Sequence, residues 1–267
     1  MEQHSEATEL IVIGTLHSRH NTAKHYTPEA LREILLALRP HRFCVETEPQ
    51  HIGDDGYARP AADLEAERTR MPDGVVLVEV SRQLRTTLIP FEWEGYGKRL
   101  RETRYFERQE RAKTQLEQFL SQLAAVNPAC LECKVAEMLD RAEQSQLLLD
   151  QNAGPEIINS EAFDNVIRIK HSFPLTLLPL LAKHEGNEEM LADWRFIFDE
   201  WEKRNTTMAD NLTRICGEHP GKRLVVVTGC EHRFALRDRL TGRPGIVLKE
   251  FWEVLGAGWS PYHGSPA

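Results

Sequence analysis

Short apolar runs that end in glycine or a polar residue alternate with amphipathic stretches at both ends of the chain. The run "LIVI" at 10–13 ends in Gly14 and predicts a strand, and "FCVE" at 43–46 predicts a second one. Between them Thr27 suits the N-cap of a helix and Pro28 suits its first position. The helix then shows one apolar face, which consists of Leu31, Ile34, Leu35 and Leu38. Strand, helix and strand in this order predict a βαβ unit with a right-handed crossover.

The pattern becomes helical in the middle of the chain. The segment "DGVVLVEVSRQLR" at 73–85 fits either a helix or a strand, whereas "TTLIP" at 86–90 predicts a third strand. Residues 53–72 are polar and contain glycine and proline, so we expect a loop with a helical segment. From about 104 to 219, amphipathic segments rich in Glu, Gln, Leu and Ala predict helices almost throughout.

Two further strands are predicted near the end of the chain. "KRLVVVTG" at 222–229 contains consecutive β-branched residues, and "GRPGIVLKEFW" at 242–252 follows after one more helix. The fold class predicted is α/β, with a central, mostly parallel or mixed sheet flanked by helices. We expect one domain over 1–267, interrupted by a helical insertion at about 104–219.

Composition limits the partners of this chain. With 41% apolar residues, 28% charged residues and a net charge of −8, it is typical of a globular protein and lacks the basic excess of a nucleic-acid binder. The start "MEQHSEATEL" has no secretory-signal pattern and no apolar run could cross a membrane, so we expect a cytoplasmic protein without a membrane partner. Of the five cysteines, only Cys130 and Cys133 form a CxxC pair. Without a second ligand pair nearby, a coincidence at a helix start is favoured over metal or redox use.

Polar residues follow three of the predicted strands. His17 follows the first strand, Glu46 ends the second, and His232 follows "VVVTG". Each histidine stands three residues after a glycine, Gly14 or Gly229, which permits positive φ and close backbone approach. Because ligands bind outside the carboxyl ends of parallel strands, we expect these residues to form one site. Two imidazoles and a carboxylate suit a divalent transition metal or a metal-free acid–base pair, although one such histidine alone is more often structural.

Four segments resemble, in order, the signature blocks of the TraB/Tiki superfamily. They are "LIVIGTLHS", "RPHRFCVETEP", "EKRNTTMADNL" and "VVVTGCEHRFALRDRL". That superfamily also takes in plasmid pheromone-shutdown and GumN-like proteins, with erythromycin esterases and ChaN-like haem-binding proteins as distant relatives. The residues that match its pattern are Gly14 with His17, Glu46, Arg204 with Asn205, and Gly229 with His232. The resemblance covers the two ends, while about 52–195 carries no matching motif.

The resemblance implies a metal-dependent peptidase or other hydrolase that uses a divalent ion such as Mn, Co, Zn or Fe. His17 and His232 would then be metal ligands or a base with its orienting partner, and Glu46 a ligand or the general base. Arg204 and Asn205 would donate hydrogen bonds to a carboxylate or to a developing oxyanion. Peptide or amide bonds are the first expectation for the substrate, esters the second. For Arg204, an ion pair with Glu200 one helical turn earlier is an equal alternative.

Neighbouring residues and other function classes leave further alternatives open. His20 and His25 are additional ligands, parts of a loop that orients the substrate, or parts of a solvated loop. Glu48 would face the same side as Glu46 on an extended strand, or else belongs to the following loop. A metal-free hydrolase with a histidine base is the first alternative function, and a non-catalytic protein that binds a small molecule, peptide or haem is the second. The long middle helices could form a homo-oligomer or cover the site, although core packing is the simplest interpretation.

Overall fold

The fold is built on a five-stranded, all-parallel sheet. The computed structural model describes residues 7–58, 63–256 and 258–261, so the first residues of "MEQHSEATEL" lie outside it. In chain order the strands are β1 (Thr8–Thr15), β2 (Arg42–Val45), β3 (Leu88–Pro90), β4 (Arg223–Gly229) and β5 (Ile246–Lys249). Their order across the sheet is β3-β2-β4-β1-β5. The predicted α/β class with a central sheet flanked by helices is therefore confirmed.

Strand order and register bring the two ends of the chain together. β4 lies between β1 and β2, so the two strands of the predicted βαβ unit are parallel but are not neighbours. The register pairs Glu9 with Arg223 at one end and Thr15 with Gly229 at the other. The two Gly-x-x-His motifs therefore start within one residue of the same level of the sheet.

The remaining elements are helices, some of which the sequence left undecided. They are α1 (Pro28–Leu38), α2 (Leu64–Arg70), α3 (Pro72–Leu84), α4 (Tyr96–Glu102), α5 (Tyr105–Val126), α6 (Leu131–Asn152), α7 (Pro155–Ile158), α8 (Glu161–Lys170), α9 (Phe173–Thr176), α10 (Leu178–Leu181), α11 (Glu188–Gly217), α12 (Cys230–Leu240) and α13 (Phe251–Leu255). The ambiguous segment 73–85 forms α3, and the predicted loop at 53–72 contains α2. Part of that loop, residues 59–62, lies outside the described residues.

Helix α1 forms as its sequence predicts. The Thr27 hydroxyl accepts a hydrogen bond from the backbone N–H of Ala30 at 3.2 Å, which satisfies one of the unpaired donors at the helix start. The helix ends at Leu38, and the next residue, Arg39, adopts a left-handed conformation with φ 42° just before Pro40. The four predicted apolar residues, Leu31, Ile34, Leu35 and Leu38, are all buried.

The described residues separate into two compact units. The first contains the sheet and is drawn from Met1–Glu94, Leu148–Asp164 and Asn205–Ala267. The second is helical and is drawn from Gly95–Leu147 and Asn165–Arg204. A single domain with an insertion at about 104–219 stays a prediction.

Each unit has its own apolar core. In the first unit, buried side chains of β1, β4, the second half of α11 and α12 pack together; they include Leu10, Val12, Met208, Leu212, Val226 and Leu236. In the second unit the core forms around Leu177, Leu178, Leu181, Met190 and Leu191. Within the described residues, no helix combines the length and apolar character needed to cross a membrane.

Candidate functional site

The carboxyl ends of β1, β2 and β4 bring together three of the residues singled out in the sequence. Glu46 directly follows β2, His17 lies two residues after the end of β1, and His232 lies in the first turn of α12, after β4. Nε2 of His232 lies 3.7 Å from Oε1 of Glu46. The Glu46 charge also acts on His17 and contributes to raising the pKa of its imidazole.

Glu46 is held in place through one of its two carboxylate oxygens. Oε2 accepts a hydrogen bond from the Thr228 hydroxyl at 2.5 Å and another from the backbone N–H of Gly229 at 2.9 Å. The side chain is 13% exposed, so these bonds act in a largely desolvated position. Oε1 is thereby directed toward His232.

His17 forms a hydrogen-bonded pair with Asp73 from the first turn of α3. Nδ1 of His17 donates to Oδ2 of Asp73 at 2.9 Å, and the hydroxyl of Thr15 donates to the same oxygen at 2.6 Å. Burial opposes the charged imidazole, but the hydrogen bond and charge of Asp73 raise the pKa of His17 overall. Burial likewise opposes the Asp73 carboxylate, but its hydrogen bond with His17 lowers its pKa below the ordinary value.

The two motif glycines allow the Gly-x-x-His motifs to lie close to each other. A Cβ on Gly229 would lie 2.5 Å from Nε2 of His17, and a Cβ on Gly14 would lie 3.0 Å from Cα of Cys230. Each glycine therefore makes room for residues that belong to the other motif. Gly229 has φ −55°, a value open to any residue, so space rather than positive φ explains it.

His232 is oriented in the same way as His17. Its Nδ1 donates to Oδ1 of Asn205 at 2.9 Å, and Asn205 is fully buried on α11. In both His17 and His232, Nδ1 thus donates a hydrogen bond to a side-chain oxygen, and Nε2 is the ring nitrogen that faces the edge of the sheet. Histidines that bind metals through Nε2 commonly have such a partner on Nδ1.

The donor atoms of His17, Glu46 and His232 are of types that bind divalent ions, but the three side chains are not arranged as a complete ligand set. Two imidazole nitrogens and a carboxylate oxygen are common ligands of zinc and of other first-row transition metals. Two donors on a tetrahedral ion would lie about 3.4 Å apart for bonds of ~2.1 Å, close to the 3.7 Å between His232 and Glu46. Among the described residues, no three or more His, Cys, Asp or Glu side chains are arranged so that they could hold a metal ion. Coordination by all three residues stays a prediction.

His20 supports the loop after β1. Its Nε2 accepts from the backbone N–H of Leu16 at 3.0 Å, and its Nδ1 donates to the carbonyl of Tyr26 at 2.6 Å. The residue is 1% exposed, and burial lowers its pKa. With both ring nitrogens bonded to the backbone, His20 is a neutral structural residue, which corrects the expectation of a ligand or a solvated loop position.

Glu48 contacts Gln50, and Arg204 contacts Tyr96. Glu48 lies beyond the end of β2, where its carboxylate accepts a hydrogen bond from the side chain of Gln50 at 2.9 Å. Arg204 belongs to the second unit, and its guanidinium carbon lies 4.5 Å from the ring centroid of Tyr96. The carboxylate of Glu200, its alternative partner, receives two hydrogen bonds from Arg99 at 2.5 and 2.6 Å.

Two residues that contribute to the site carry no clear signal in the sequence. Asp73 follows Pro72 at a helix start, where an acidic residue is usually explained by the helix dipole. Asn159 lies in the region without a motif, yet its side chain bonds both the N–H and the carbonyl of Gly14, at 2.7 and 3.3 Å. β5 pairs with β1 only as far as Ile11, and beyond that point Asn159 supplies hydrogen bonds to the backbone of β1.

The buried Arg233 fixes the start of α12 beside His232. Its guanidinium pairs with the carboxylates of Asp164 and Glu250 and donates to the carbonyl of Val12 at 3.2 Å. A fully buried cation needs such compensation, because its desolvation is costly.

No match to this chain was found among protein-family models, curated proteins or solved structures. The resemblance to the TraB/Tiki superfamily rests on the quoted motif residues alone and stays a prediction.

Proposed function

We propose that this protein is a metal-dependent hydrolase whose active site is the edge formed by His17, Glu46 and His232. The observation that supports it is the matched orientation of the two imidazoles. Asp73 and Asn205 bind the Nδ1 atoms of His17 and His232, and Nε2 of His232 lies 3.7 Å from Oε1 of Glu46. Peptide or amide bonds are the proposed substrates, with esters second.

The roles of the residues follow from their hydrogen bonds. A bound divalent ion would polarise the scissile carbonyl and lower the pKa of water toward ~7. Glu46, anchored through Oε2, would hold or move a proton at Oε1. Asp73 would keep Nδ1 of His17 protonated and Asn205 would do the same for His232, which leaves the Nε2 lone pairs available.

A metal-free hydrolase is the second candidate, and the His17–Asp73 pair favours it. A buried carboxylate on Nδ1 orients an imidazole and stabilises the imidazolium that forms when Nε2 takes a proton from water. The raised pKa of His17 is consistent with such a base.

Metal analysis separates these candidates. We would measure bound metal in the purified protein and in the variants His17→Ala and His232→Ala, with His41→Ala as the control. His41 is exposed and precedes β2 at the opposite edge of the sheet. The first proposal expects metal in the wild type and in the control, and at least about tenfold less in the other two. Equal metal content in all four proteins would exclude these ligands.

Activity then decides between chemistry and binding. We would test peptides, amides and esters before and after exhaustive chelation. Hydrolysis that survives chelation but is lost in His17→Ala would favour the metal-free candidate. A metal-loaded protein that turns over no substrate, or a haem absorption band, would favour a non-catalytic binding protein. We also propose a cytoplasmic location, since an odd number of cysteines spread along the chain does not suggest a disulfide framework.

A further inference from the structure

The thiols of Cys130 and Cys133 lie in contact in the second unit. The two sulfur atoms are 2.6 Å apart and are not joined by a disulfide. Cys130 directly precedes the first residue of α6, and both side chains are half-buried. The other three cysteines, Cys44, Cys216 and Cys230, are buried. The CxxC pair is thus both the closest pair of thiols described and the one open to solvent.

The geometry distinguishes the two thiols. The backbone N–H of Cys133 donates to the sulfur of Cys130 at 3.3 Å, at the end of the helix that favours negative charge. The hydrogen bond with Cys130, with burial, raises the pKa of Cys133 to about 11. Cys130 is therefore the thiol suited to attack, and Cys133 the one suited to react second.

A carboxylate and an imidazole lie beside the thiols. Oε1 of Glu132 lies 3.1 Å from Nε2 of His184, which comes from the segment after α10. This carboxylate accepts hydrogen bonds from its own backbone N–H, from His184 and from the Cys130 thiol, and these bonds lower its pKa. The charge of Glu132 contributes to raising the pKa of Cys133, so this carboxylate opposes formation of the thiolate.

We propose that Cys130 and Cys133 form a reversible thiol–disulfide exchange site whose co-reactant is a small-molecule disulfide such as oxidised glutathione. The Cys130 thiol loses its proton to water, and its thiolate attacks one sulfur of the co-reactant and releases the other sulfur as a thiolate, which takes up that proton. The Cys133 thiolate then attacks the Cys130 sulfur of this mixed disulfide and releases the second thiol. The protein loses two electrons and two protons, and the co-reactant gains them.

A metal site is the competing explanation for a CxxC pair. It would need further Cys, His or carboxylate ligands around the same point. Two thiolates bound to one tetrahedral zinc ion would also lie about 3.8 Å apart for bonds of ~2.3 Å. The shorter contact of 2.6 Å between the sulfurs favours redox chemistry at this helix start.

Peptide mass analysis tests the proposal directly. Cleavage after Lys113 and Lys134 releases residues 114–134, which contain Cys130, Cys133 and no other cysteine. We would equilibrate the full-length protein in buffers of varied ratio of reduced to oxidised glutathione and trap free thiols before cleavage. As the buffer is made more oxidising, we expect this peptide to lose both trapping groups and to appear two hydrogen masses lighter than the unlabelled dithiol, and to carry both groups again after reduction. A peptide that stays reduced at every ratio, or that carries glutathione on both cysteines, would overturn the proposal.

Variants test the assigned roles. In Cys133→Ser we expect glutathione to be trapped on Cys130, whereas in Cys130→Ser the remaining Cys133 should react at least about tenfold more slowly. Glu132→Gln should speed disulfide formation by about twofold or more, because it removes a negative charge that disfavours the thiolates. Glu137→Gln is the matched control, since Glu137 lies on the same helix but pairs with Lys134 and Arg141. Equal oxidation rates in both Gln variants would overturn the role of Glu132, and equal reactivity of both Ser variants would overturn the order of attack. Circular dichroism of every variant verifies that it is folded.

Discussion

At the residue scale, His17 combines an uncommon backbone conformation with a ring that lies close to Gly229. Its φ of 50° lies in the left-handed region, which costs a non-glycine residue about 1–2 kcal/mol. The hydrogen bond with Asp73 holds the side chain in this position, and the lack of a Cβ at Gly229 leaves room for the ring. Strained backbone that is over-determined by its surroundings is typical of functional residues.

Gly229→Ala should therefore disable the site without unfolding the protein. The backbone of Gly229 suits alanine, but the new Cβ would meet Nε2 of His17 at 2.5 Å and displace the ring. A displacement of about 1 Å is enough for a loss of ~100-fold in hydrolysis. The measurement is kcat/KM and bound metal, with the melting temperature alongside.

Gly217→Ala provides the matched control, because no atom lies within 4 Å of a Cβ at that position. It should keep the metal content and activity of the wild type. Full activity in Gly229→Ala would contradict the placement of His17 in the active site.

The second prediction at this scale concerns His20, which we assign to structure. His20→Ala leaves the N–H of Leu16 and the carbonyl of Tyr26 unpaired in a buried position. We expect the free energy of unfolding to fall by about 2–3 kcal/mol, measured by urea denaturation. Metal content per folded protein should be unchanged, whereas loss of metal from a folded variant would show that His20 is a ligand after all. The exposed neighbour His25, changed to alanine, should alter stability by less than about 0.5 kcal/mol.

At the scale of single elements, the sequence predicts well where one physical signal dominates. Helix α1 has an N-cap, an N-terminal proline and a complete apolar face, and it forms as expected. Helix α3 was ambiguous because its valines suit a strand, and only packing against α1 and other elements selects the helix. Asp73 could not be assigned to the site from sequence for the same reason, since its role depends on where α3 packs.

The Arg99–Glu200 pair, which links α4 to α11, allows a prediction about acid stability. Arg99 binds the buried Glu200 carboxylate through two nitrogens and lowers its pKa below the ordinary value. The pair therefore stabilises the fold above about pH 4.3, the value in an unfolded chain, and its contribution is lost as the pH falls through the lower pKa of the folded state. Arg99→Ala should lower the free energy of unfolding by about 1–2 kcal/mol at pH 7.

The control for this prediction is the neighbouring Lys98→Ala, which removes an exposed pair with Glu102. It should have little effect at either pH. Urea denaturation at pH 7 and below pH 4 tests the difference. If the loss caused by Arg99→Ala were as large in acid as at neutral pH, the ion pair would not be its cause.

At the scale of the whole molecule, the site depends on how distant segments are paired. The parallel arrangement predicted from strand ends suffices to expect that His17, Glu46 and His232 share an edge. The insertion of β4 between β1 and β2 could not be predicted, because each strand carries a similar apolar pattern. The hydrogen bonds of Asn159 with Gly14 could not be predicted either, because Asn159 belongs to a segment that lies, along the sequence, between the two parts of the second unit. Local patterns thus predict the edge, and long-range packing decides which residues support it.

The last prediction uses the fact that all three proposed ligands belong to the first unit. An ion that binds only the folded state stabilises it by about 2.7 kcal/mol at a concentration of 100 times Kd. For a chain of this size, that corresponds to a rise in melting temperature of roughly 5–10 °C. We would record calorimetric scans with chelator and with Mn, Co, Zn or Fe salts, for the wild type, His232→Ala and His41→Ala. The wild type and His41→Ala should shift with at least one ion, and His232→Ala should not. If the protein melts in two steps, only the step of the sheet-containing unit should move. An equal shift in all three proteins would show that the ion binds elsewhere.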